Sequence, residues 1–256
     1  MKNTAQKARD AAICGATPPY EVVMRLRCLS FCLLLLSLLG FTAIPAWCGE
    51  STERYIKVLG VDAENLHLEV DGRNMDIPLP DGYEPMPPDE YPNTYGHFIA
   101  ETQKSESIPL CALVYSVDDE RSKRDPSFQV NRIAFFEVYH DNISKRFTRD
   151  DFKQEIKNIK IINTDTIRWV NEQLQYRGRN GFMGKYIYED DNVLSLVRVE
   201  FDTPDDRDYR IGLSRTELLI EDIAILVRFY ENIYTESDMD SLTNTTTVYI
   251  EKLGKR

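Results

Sequence analysis

The residues of this chain that could do chemistry are mostly carboxylates. Acidic side chains form three runs, at 118–120, 189–191 and 202–208. Oxygen-rich loops can bind calcium, so the last run is a candidate for a weak calcium site. Its possible ligands are Asp202, Asp205, Asp206 and Asp208. Their spacing does not match an EF-hand loop, and we favour the alternative, in which all three runs are acidic turns in contact with solvent.

Motifs for metal, nucleophilic or cofactor chemistry are missing from the sequence. The three histidines, His67, His97 and His140, each stand alone, without the paired spacing of a zinc site. The chain also lacks the Gly-x-Ser-x-Gly turn of an α/β-hydrolase. We therefore expect no cofactor. One enzymatic alternative stays open, a carboxylate-dependent hydrolase or lyase, because two of the many carboxylates could act as general acid and base.

A basic stretch at 177–185 interrupts the acidic sequence. It contains Arg177 and Arg179 and three glycines, but the glycine spacing and Tyr186 do not fit a phosphate-binding loop. The glycines favour a turn between a helix and a strand, with positive φ at Asn180 and Gly181. The two arginines are candidate binding residues if the turn holds an anion.

An aromatic segment rich in proline occupies residues 80–98. Its candidate binding residues are Tyr83, Tyr91, Tyr95 and His97. Five prolines between 80 and 92 exclude regular structure there, and tyrosine offers a large contact area at low entropic cost. Two alternatives stay open: the segment binds a partner, or it covers an open edge or face of the sheet.

The first part of the chain has the pattern of a targeting signal. A basic stretch at 24–27 precedes an uncharged apolar run and small residues that end at Ala46, which is the pattern of a secretory signal peptide cleaved after Ala46. Residues 1–23 lie upstream of the expected start at Met24, and 47–54 form a linker. The prediction is a periplasmic or secreted protein. The alternative is a retained anchor at 28–46, the only route to the membrane that we foresee.

The charge of the chain narrows the range of possible partners. With 42 acidic and 31 basic residues the net charge is −11, which argues against nucleic-acid binding and favours a basic protein partner.

Beyond the leader the chain keeps two cysteines, Cys48 and Cys111. They could form a disulfide, but the apolar run around Cys111 favours a buried, unpaired thiol.

Strands and hairpins account for most of the pattern beyond the linker. The predicted hairpins are 66–70 with 75–79, 183–189 with 193–201, and 216–220 with 223–230. Further strands are expected at 95–102, 110–117 and 130–139.

Three helices are expected. The clearest one starts at an N-cap Thr148, with Asp151 completing a capping box and an apolar stripe through Phe152, Ile156, Ile159 and Ile162. A shorter helix follows at 165–176. The last one is capped by Thr235 or Ser237 and carries an apolar face from Met239 to Leu253.

Hairpins with separate helices indicate an α+β fold, a single domain over 55–256 with an antiparallel sheet and two main helices packed on it. The motif Ile-Pro-Leu-Pro-Asp-Gly-Tyr at 77–83, and the closing hairpin and helix at 216–253, are similar to the PsbP-like fold. The resemblance covers roughly 55–253 and implies an α/β/α sandwich and an exported accessory role without catalysis. No functional residue carries over, since no site motif of that family is present.

The predicted function is therefore an exported, non-enzymatic binding or accessory protein. It would recognise another envelope or secreted protein through an acidic surface and the aromatic, proline-rich segment.

Overall fold

A computed structural model of the chain describes residues 55–104, 107–124, 130–140, 146–200 and 211–254. The expected leader, Cys48 and the candidate calcium ligands at 202–208 lie outside these ranges. Within them the chain is α+β, with antiparallel sheets and four α-helices. No helix in the described ranges is long and apolar enough to cross a bilayer.

The described residues form two antiparallel sheets rather than the single sheet expected, because the first hairpin pairs with β1 and not with the later strands. The small sheet has the order β1–β2–β3: β1 (Ile56–Val61), β2 (Asn65–Val70) and β3 (Arg73–Pro78). The hairpin predicted around Asp71 and Gly72 is confirmed. Both residues have positive φ, at 51° and 77°, as tight hairpin turns require. Leu66, Leu68 and Val70 face the core, and the alternate residues of β2 form the outer face.

Seven strands form the larger sheet, in the order β4-β5-β6-β10-β9-β8-β7. They are β4 (Tyr83–Pro85), β5 (Ser107–Tyr115), β6 (Arg132–Tyr139), β7 (Lys185–Glu189), β8 (Val193–Glu200), β9 (Ile211–Ile220) and β10 (Ile223–Asn232). The two later hairpins are confirmed as β7–β8 and β9–β10. Strand β10 lies at the centre and pairs with β6 on one side and β9 on the other.

The strand expected at 95–102 is wrong, because those residues belong to helix α1 (Pro92–Lys104). The expected lack of regular structure between 80 and 92 is also wrong, because Tyr83–Pro85 pair with the edge of the larger sheet as β4 and Pro92 begins α1. Pro92 starts the helix, a position where its missing N–H costs nothing. Phe98 and Thr102, four residues apart, are both buried, as on the inner face of a helix. The next expected strand, 110–117, is β5 but ends at Tyr115. Helix α2 (Ser116–Arg124) follows directly.

Helix α3 (Arg149–Tyr176) begins as predicted. The Thr148 side chain accepts from the Asp151 backbone N–H, and the Asp151 carboxylate accepts from the Thr148 N–H at 3.0 Å. The second helix expected at 165–176 is instead the continuation of α3. Ile162 is wrong as a core position: it is 68 % exposed, and the buried stripe passes through Asn163, because four residues beyond Ile159 come closest to a full turn.

Helix α4 (Glu236–Gly254) closes the chain as predicted. Asp238 accepts the backbone N–H of Thr235 at 2.8 Å, which identifies Thr235 as the capping residue. Met239, Leu242 and Tyr249 join the largest core cluster, which also contains residues of both sheets. A second cluster packs the first half of α3 on the larger sheet, and a third packs α1 on it through Phe98.

Candidate binding surface

The six candidate binding residues fall into two groups at opposite edges of the larger sheet. Tyr83 lies in the edge strand β4, and Tyr91, Tyr95 and His97 lie just beyond it, at the start of α1. The two arginines, 177 and 179, lie in the turn that leads from α3 into the other edge strand, β7. The structure therefore does not join the aromatic and the basic candidates into one site.

Tyr83 is a core residue, only 6 % exposed. Its ring packs edge-on against Tyr115 and Phe229, with centroid distances of 5.3 and 5.8 Å. Burial raises the pKa of its hydroxyl above the ordinary value. This end of the aromatic segment covers the sheet, as one of the two sequence alternatives states, and contributes packing rather than an exposed contact.

Tyr91, Tyr95 and His97 are more accessible. Tyr91 and Tyr95 are half-buried and His97 is exposed. The Tyr95 ring packs edge-on against Phe98 at 5.9 Å, and the Tyr91 hydroxyl donates a hydrogen bond to Asp119. Contacts with Asp119 and Phe98 thus hold these two tyrosine rings in place, while part of each ring faces solvent.

Asp118 and Asp119 correct the expectation of an acidic turn at 118–120. They lie in the first turn of α2, where the helix dipole favours negative charge, and are only 4 % and 3 % exposed. Asp118 accepts from the Arg132 guanidinium at 2.7 Å and from the Arg132 backbone N–H at 3.0 Å. The pair is satisfied by charge and by hydrogen bonds, which is what a buried carboxylate needs.

Asp119, the next residue of α2, organises a second group of side chains. It accepts from Lys123 at 2.7 Å and from Tyr91. Glu84 shares a hydrogen bond with Asp119. Burial and the Asp119 carboxylate raise the pKa of Glu84. Burial alone would raise the pKa of Asp119 as well, but its hydrogen bonds with Lys123 and Tyr91 outweigh burial and lower this pKa. We call Glu84, Tyr91, Asp118, Asp119, Lys123 and Arg132 the β4–α2 corner.

The corner continues inward to a buried acid. The Arg132 guanidinium lies 3.7 Å above the centre of the Tyr115 ring, a favourable cation–π contact. Behind it, Glu231 of β10 is 8 % exposed. Burial raises the pKa of Glu231 to about 7, although the positive charge of Arg132 opposes this rise.

The outer face of the small sheet is also acidic. His67 of β2 lies between two carboxylates, with Nδ1 2.7 Å from Asp76 and Nε2 2.9 Å from Asp62. These contacts raise the pKa of His67. Backbone hydrogen bonds, together with His67, lower the pKa of Asp62 to about 2, so this carboxylate stays charged throughout the neutral range.

The basic stretch forms a turn, as the glycines suggested. Arg177 follows α3 as its C-cap, and its backbone N–H donates to carbonyls of the last helical turn. The expected positive φ at Asn180 and Gly181 is wrong. Gly178 has it instead, with a φ of 69°, and residues Asn180–Phe182 form a short 3-10 helix. Arg179 is exposed.

A surface depression of about 920 Å³ lies elsewhere, between the first half of α3 and the turn after β7. Its charged lining is largely paired internally: Lys160 lies 2.7 Å from Glu189, and Lys153 lies 3.1 Å from Asp191. The carboxylate pair of the corner, Glu84 and Asp119, does not line it. The hydrolase alternative therefore stays an untested prediction.

Sequence reasoning missed two charged groups on the central strands. Arg228 of β10 contacts Glu137 of β6 at 3.2 Å, with side chains 7 % and 0 % exposed. On β9, Arg215 donates to Glu217 at 2.6 Å and to the Tyr139 hydroxyl at 2.8 Å. Burial and the Glu217 charge raise the pKa of Tyr139 well above the ordinary value. The available signal was the presence of charged residues inside largely apolar strands, such as Glu137 in β6 and Arg228 in β10.

Comparisons with known proteins add little to this description. No protein-family model matches the chain, and no curated protein is significantly similar to it. A crystal structure of the Ran-binding protein Mog1p from Saccharomyces cerevisiae is distantly similar, with 10 % identity and a TM-score of 0.29. The match covers 72 % of this chain and 85 % of that one. A likeness this distant carries no functional argument, and the PsbP-like resemblance stays a prediction.

Proposed function

We propose that this chain is an exported, non-enzymatic accessory protein that binds a basic protein partner. The contact surface would be the acidic region formed by residues 55–104. One observation carries the proposal: half-buried Tyr91 is held by Asp119 within a group of carboxylates at the β4–α2 corner. An aromatic ring beside negative charge suits a partner that presents Lys or Arg.

Charge supports this choice of region. Residues 55–104 contain ten acidic and three basic side chains, a net charge of −7. Six of these carboxylates are exposed, at positions 62, 64, 76, 81, 89 and 90. An excess of negative charge in this part of the chain attracts a basic partner over a distance of about one Debye length, roughly 8 Å at physiological salt.

The rigidity of the aromatic side chains near the start of α1 also supports the proposed contact surface. The Tyr91 hydroxyl is bonded to α2, Tyr95 packs on Phe98, and Pro92 restricts the backbone between them. Side chains that are ordered before binding lose less entropy when a partner docks. This is the property expected of a recognition surface rather than of a loop that must fold first.

Export and the layered arrangement belong to the same proposal. The signal-like pattern that ends at Ala46 supports export to the periplasm or the exterior, where the partner would be another envelope or secreted protein. Neighbouring residues of β10 support an α/β/α sandwich of the PsbP-like kind: Val227 and Phe229 share a cluster with α4, whereas Ala224 shares one with α3.

Binding is tested with the full chain as bait on a soluble envelope extract of its host, at low and high salt. We expect a basic protein to be retained at low salt and released at high salt. The variant Asp89→Lys, beside Tyr91, should reduce the retained amount at least about fivefold. Glu251→Lys is the matched control, a charge reversal at another exposed position, on α4, and should leave retention unchanged.

The proposal fails if retention does not respond to salt or if the two variants behave alike. Export is tested separately, by sequencing the N-terminus of the protein isolated from its host. A terminus close to residue 47 supports cleavage after Ala46, whereas an intact leader in the cell interior contradicts export.

A further inference from the structure

Three ionisable side chains meet on the outer face of the small sheet. His67 of β2 lies directly opposite Asp76 of β3, and its Nδ1 is 2.7 Å from the Asp76 carboxylate. Its Nε2 is 2.9 Å from the carboxylate of Asp62, which lies in the turn between β1 and β2. Each ring nitrogen therefore contacts a carboxylate, and the ring connects the β1–β2 turn to β3.

The number of protons on the ring decides whether both contacts can be hydrogen bonds. A carboxylate only accepts, a neutral imidazole has one N–H group, and an imidazolium has two. Neutral His67 can therefore donate to Asp62 or to Asp76 but not to both, because its second nitrogen would direct a lone pair at a negative oxygen. The two short contacts together require the imidazolium form of His67.

We propose that His67 is a pH-sensitive clasp of the small sheet. Protonated His67 holds the carboxylates of Asp62 and Asp76 together, and loss of the proton as pH rises releases one of the two contacts. The three groups carry one net negative charge when His67 is protonated and two when it is neutral. The proton on His67 therefore sets both the contacts and the charge of the outer face.

The surroundings of His67 leave room for this change. Gly60 of β1 lies opposite His67, and even a Cβ on Gly60 would meet nothing within 4 Å, so the ring has open space on that side. Asp62 is fixed independently of the ring, because its other oxygen accepts the backbone N–H groups of Glu64 and Asn65, each at 2.7 Å. The ring can therefore move while the turn that holds Asp62 stays in place.

The other charged groups near His67 belong to the same sheet and its turns. Glu69 is the next residue of β2 on the outer face, and it lies opposite Lys57 of β1. Glu64, Lys57 and Asp76 are exposed, which indicates that no helix of the described chain covers this face. Because Lys57 and Glu69 carry opposite charges, the electrostatic balance at His67 depends mainly on the two carboxylates that contact its ring.

The clasp acts at the upper side of the ordinary titration range of histidine. Hydrogen bonds with Asp76 and Asp62 raise the pKa of His67 above the ordinary value of 6.5. The contribution of the clasp to stability is therefore complete below about pH 6.5 and is lost as pH rises through the pKa of the folded protein. The same rise adds one negative charge to the acidic region and should strengthen the attraction of a basic partner. This last consequence, unlike the clasp itself, rests on the proposed function.

Nitrogen NMR of the full chain tests the clasp directly, because the chemical shifts of the imidazole nitrogens report which of them carry a proton. We expect protons on both nitrogens of His67 at about pH 6, and on one nitrogen after deprotonation. Asp62→Asn and Asp76→Asn should each lower the pH at which His67 titrates. Asp89→Asn is the control, since it removes an exposed carboxylate of the same acidic region outside the clasp, and should leave the titration unchanged.

A labelled oligolysine peptide serves as the basic probe for the effect on binding. Its affinity for the wild type should rise about twofold between about pH 6 and pH 8, because one more unit charge on an exposed face adds little more than this. His67→Gln is never charged, so it should lose most of this pH dependence. An equal response of the wild type and His67→Gln would contradict the effect on binding.

Two NMR results would overturn the clasp. The first is a single ring proton on His67 at low pH. The second is a titration that Asp89→Asn moves as far as Asp76→Asn does, because general charge rather than contact would then be responsible. Failure of the proposed function has a different signature: oligolysine fails to bind at either pH, while His67 still titrates as expected.

Discussion

The hydroxyl of Tyr91 donates a hydrogen bond to the carboxylate of Asp119, 28 residues further along the chain. This bond joins the residue before α1 to the first turn of α2. Asp119 also forms an ion pair with Lys123. One buried carboxylate therefore holds an aromatic residue and a cation in defined positions. The relationship links the stability of the β4–α2 corner to the surface proposed to bind a partner.

Removing the Asp119 carboxylate should lower the free energy of unfolding far more than removing the Glu120 carboxylate. Asp119→Ala leaves Tyr91 and Lys123 without their shared acceptor, and we expect a loss of about 2 kcal/mol in the free energy of unfolding. Glu120→Ala is the control, because Glu120 is exposed and pairs with exposed Arg124; its effect should stay within about 0.5 kcal/mol. Urea denaturation measures both, and equal losses would contradict the assignment.

Two turn glycines should differ in their tolerance of a side chain. Gly82 and Gly72 have nearly the same φ, 79° and 77°. A Cβ on Gly82 would lie 2.7 Å from Cε2 of Tyr115, whereas a Cβ on Gly72 would meet nothing within 4 Å. Gly72→Ala should therefore cost about 1 kcal/mol, from backbone strain alone.

Gly82→Ala should cost at least about 1 kcal/mol more than that, because Tyr115 must move away from its contact with Arg132. Thermal or urea unfolding of the two variants gives the comparison. If the costs are equal, the close approach of Gly82 to Tyr115 does not exist in solution.

Glu231 should make stability depend on pH near neutrality. Burial raises its pKa to about 7 from an ordinary value of 4.5, so the folded protein binds this proton more tightly than the unfolded chain. Its contribution is complete below about pH 4.5 and is lost as pH rises through about 7.

Glu231→Gln cannot ionise, so it should gain stability relative to the wild type by about 1 kcal/mol or more between about pH 5 and pH 8. Urea unfolding at several pH values measures the difference. A difference between variant and wild type that does not change with pH would refute this prediction.

The buried pair of Glu137 and Arg228 should respond differently to single and double substitution. Glu137→Leu or Arg228→Leu alone leaves one buried charge uncompensated and should cost about 3–5 kcal/mol. The double variant removes both charges, so it should be more stable than either single variant. Additive losses in the double-mutant cycle would show that the two groups are not coupled.

Elements that depend on neighbouring residues were predictable from the sequence. The start of α3 rests on Thr148 and Asp151, which bond each other within one turn, and the first hairpin rests on Asp71 and Gly72. Helix α1 was not predictable in this way. Its inner side is decided by Phe98 stacking at 4.4 Å on Phe135, a residue of another strand.

The candidate surface also has one part that the sequence predicts and one part that it does not. The aromatic segment is visible in the sequence, whereas the buried state of Asp118 and Asp119 is not. Three consecutive acidic residues indicate a solvent-exposed turn unless their partners are known. Arg132 and Tyr91, the partners concerned, lie 14 and 28 residues away in the chain, and only the assembled sheet brings them within bonding distance.

The order of strands in the larger sheet determines how it can assemble. Its two halves, β4–β5–β6 and β7–β8–β9–β10, each contain consecutive strands, and the pairing of β6 with β10 joins them. That pairing includes Glu137 and Arg228, 91 residues apart. Because closing so long a segment carries an entropic cost, we expect the halves to form early and locally and their union to set the folding rate.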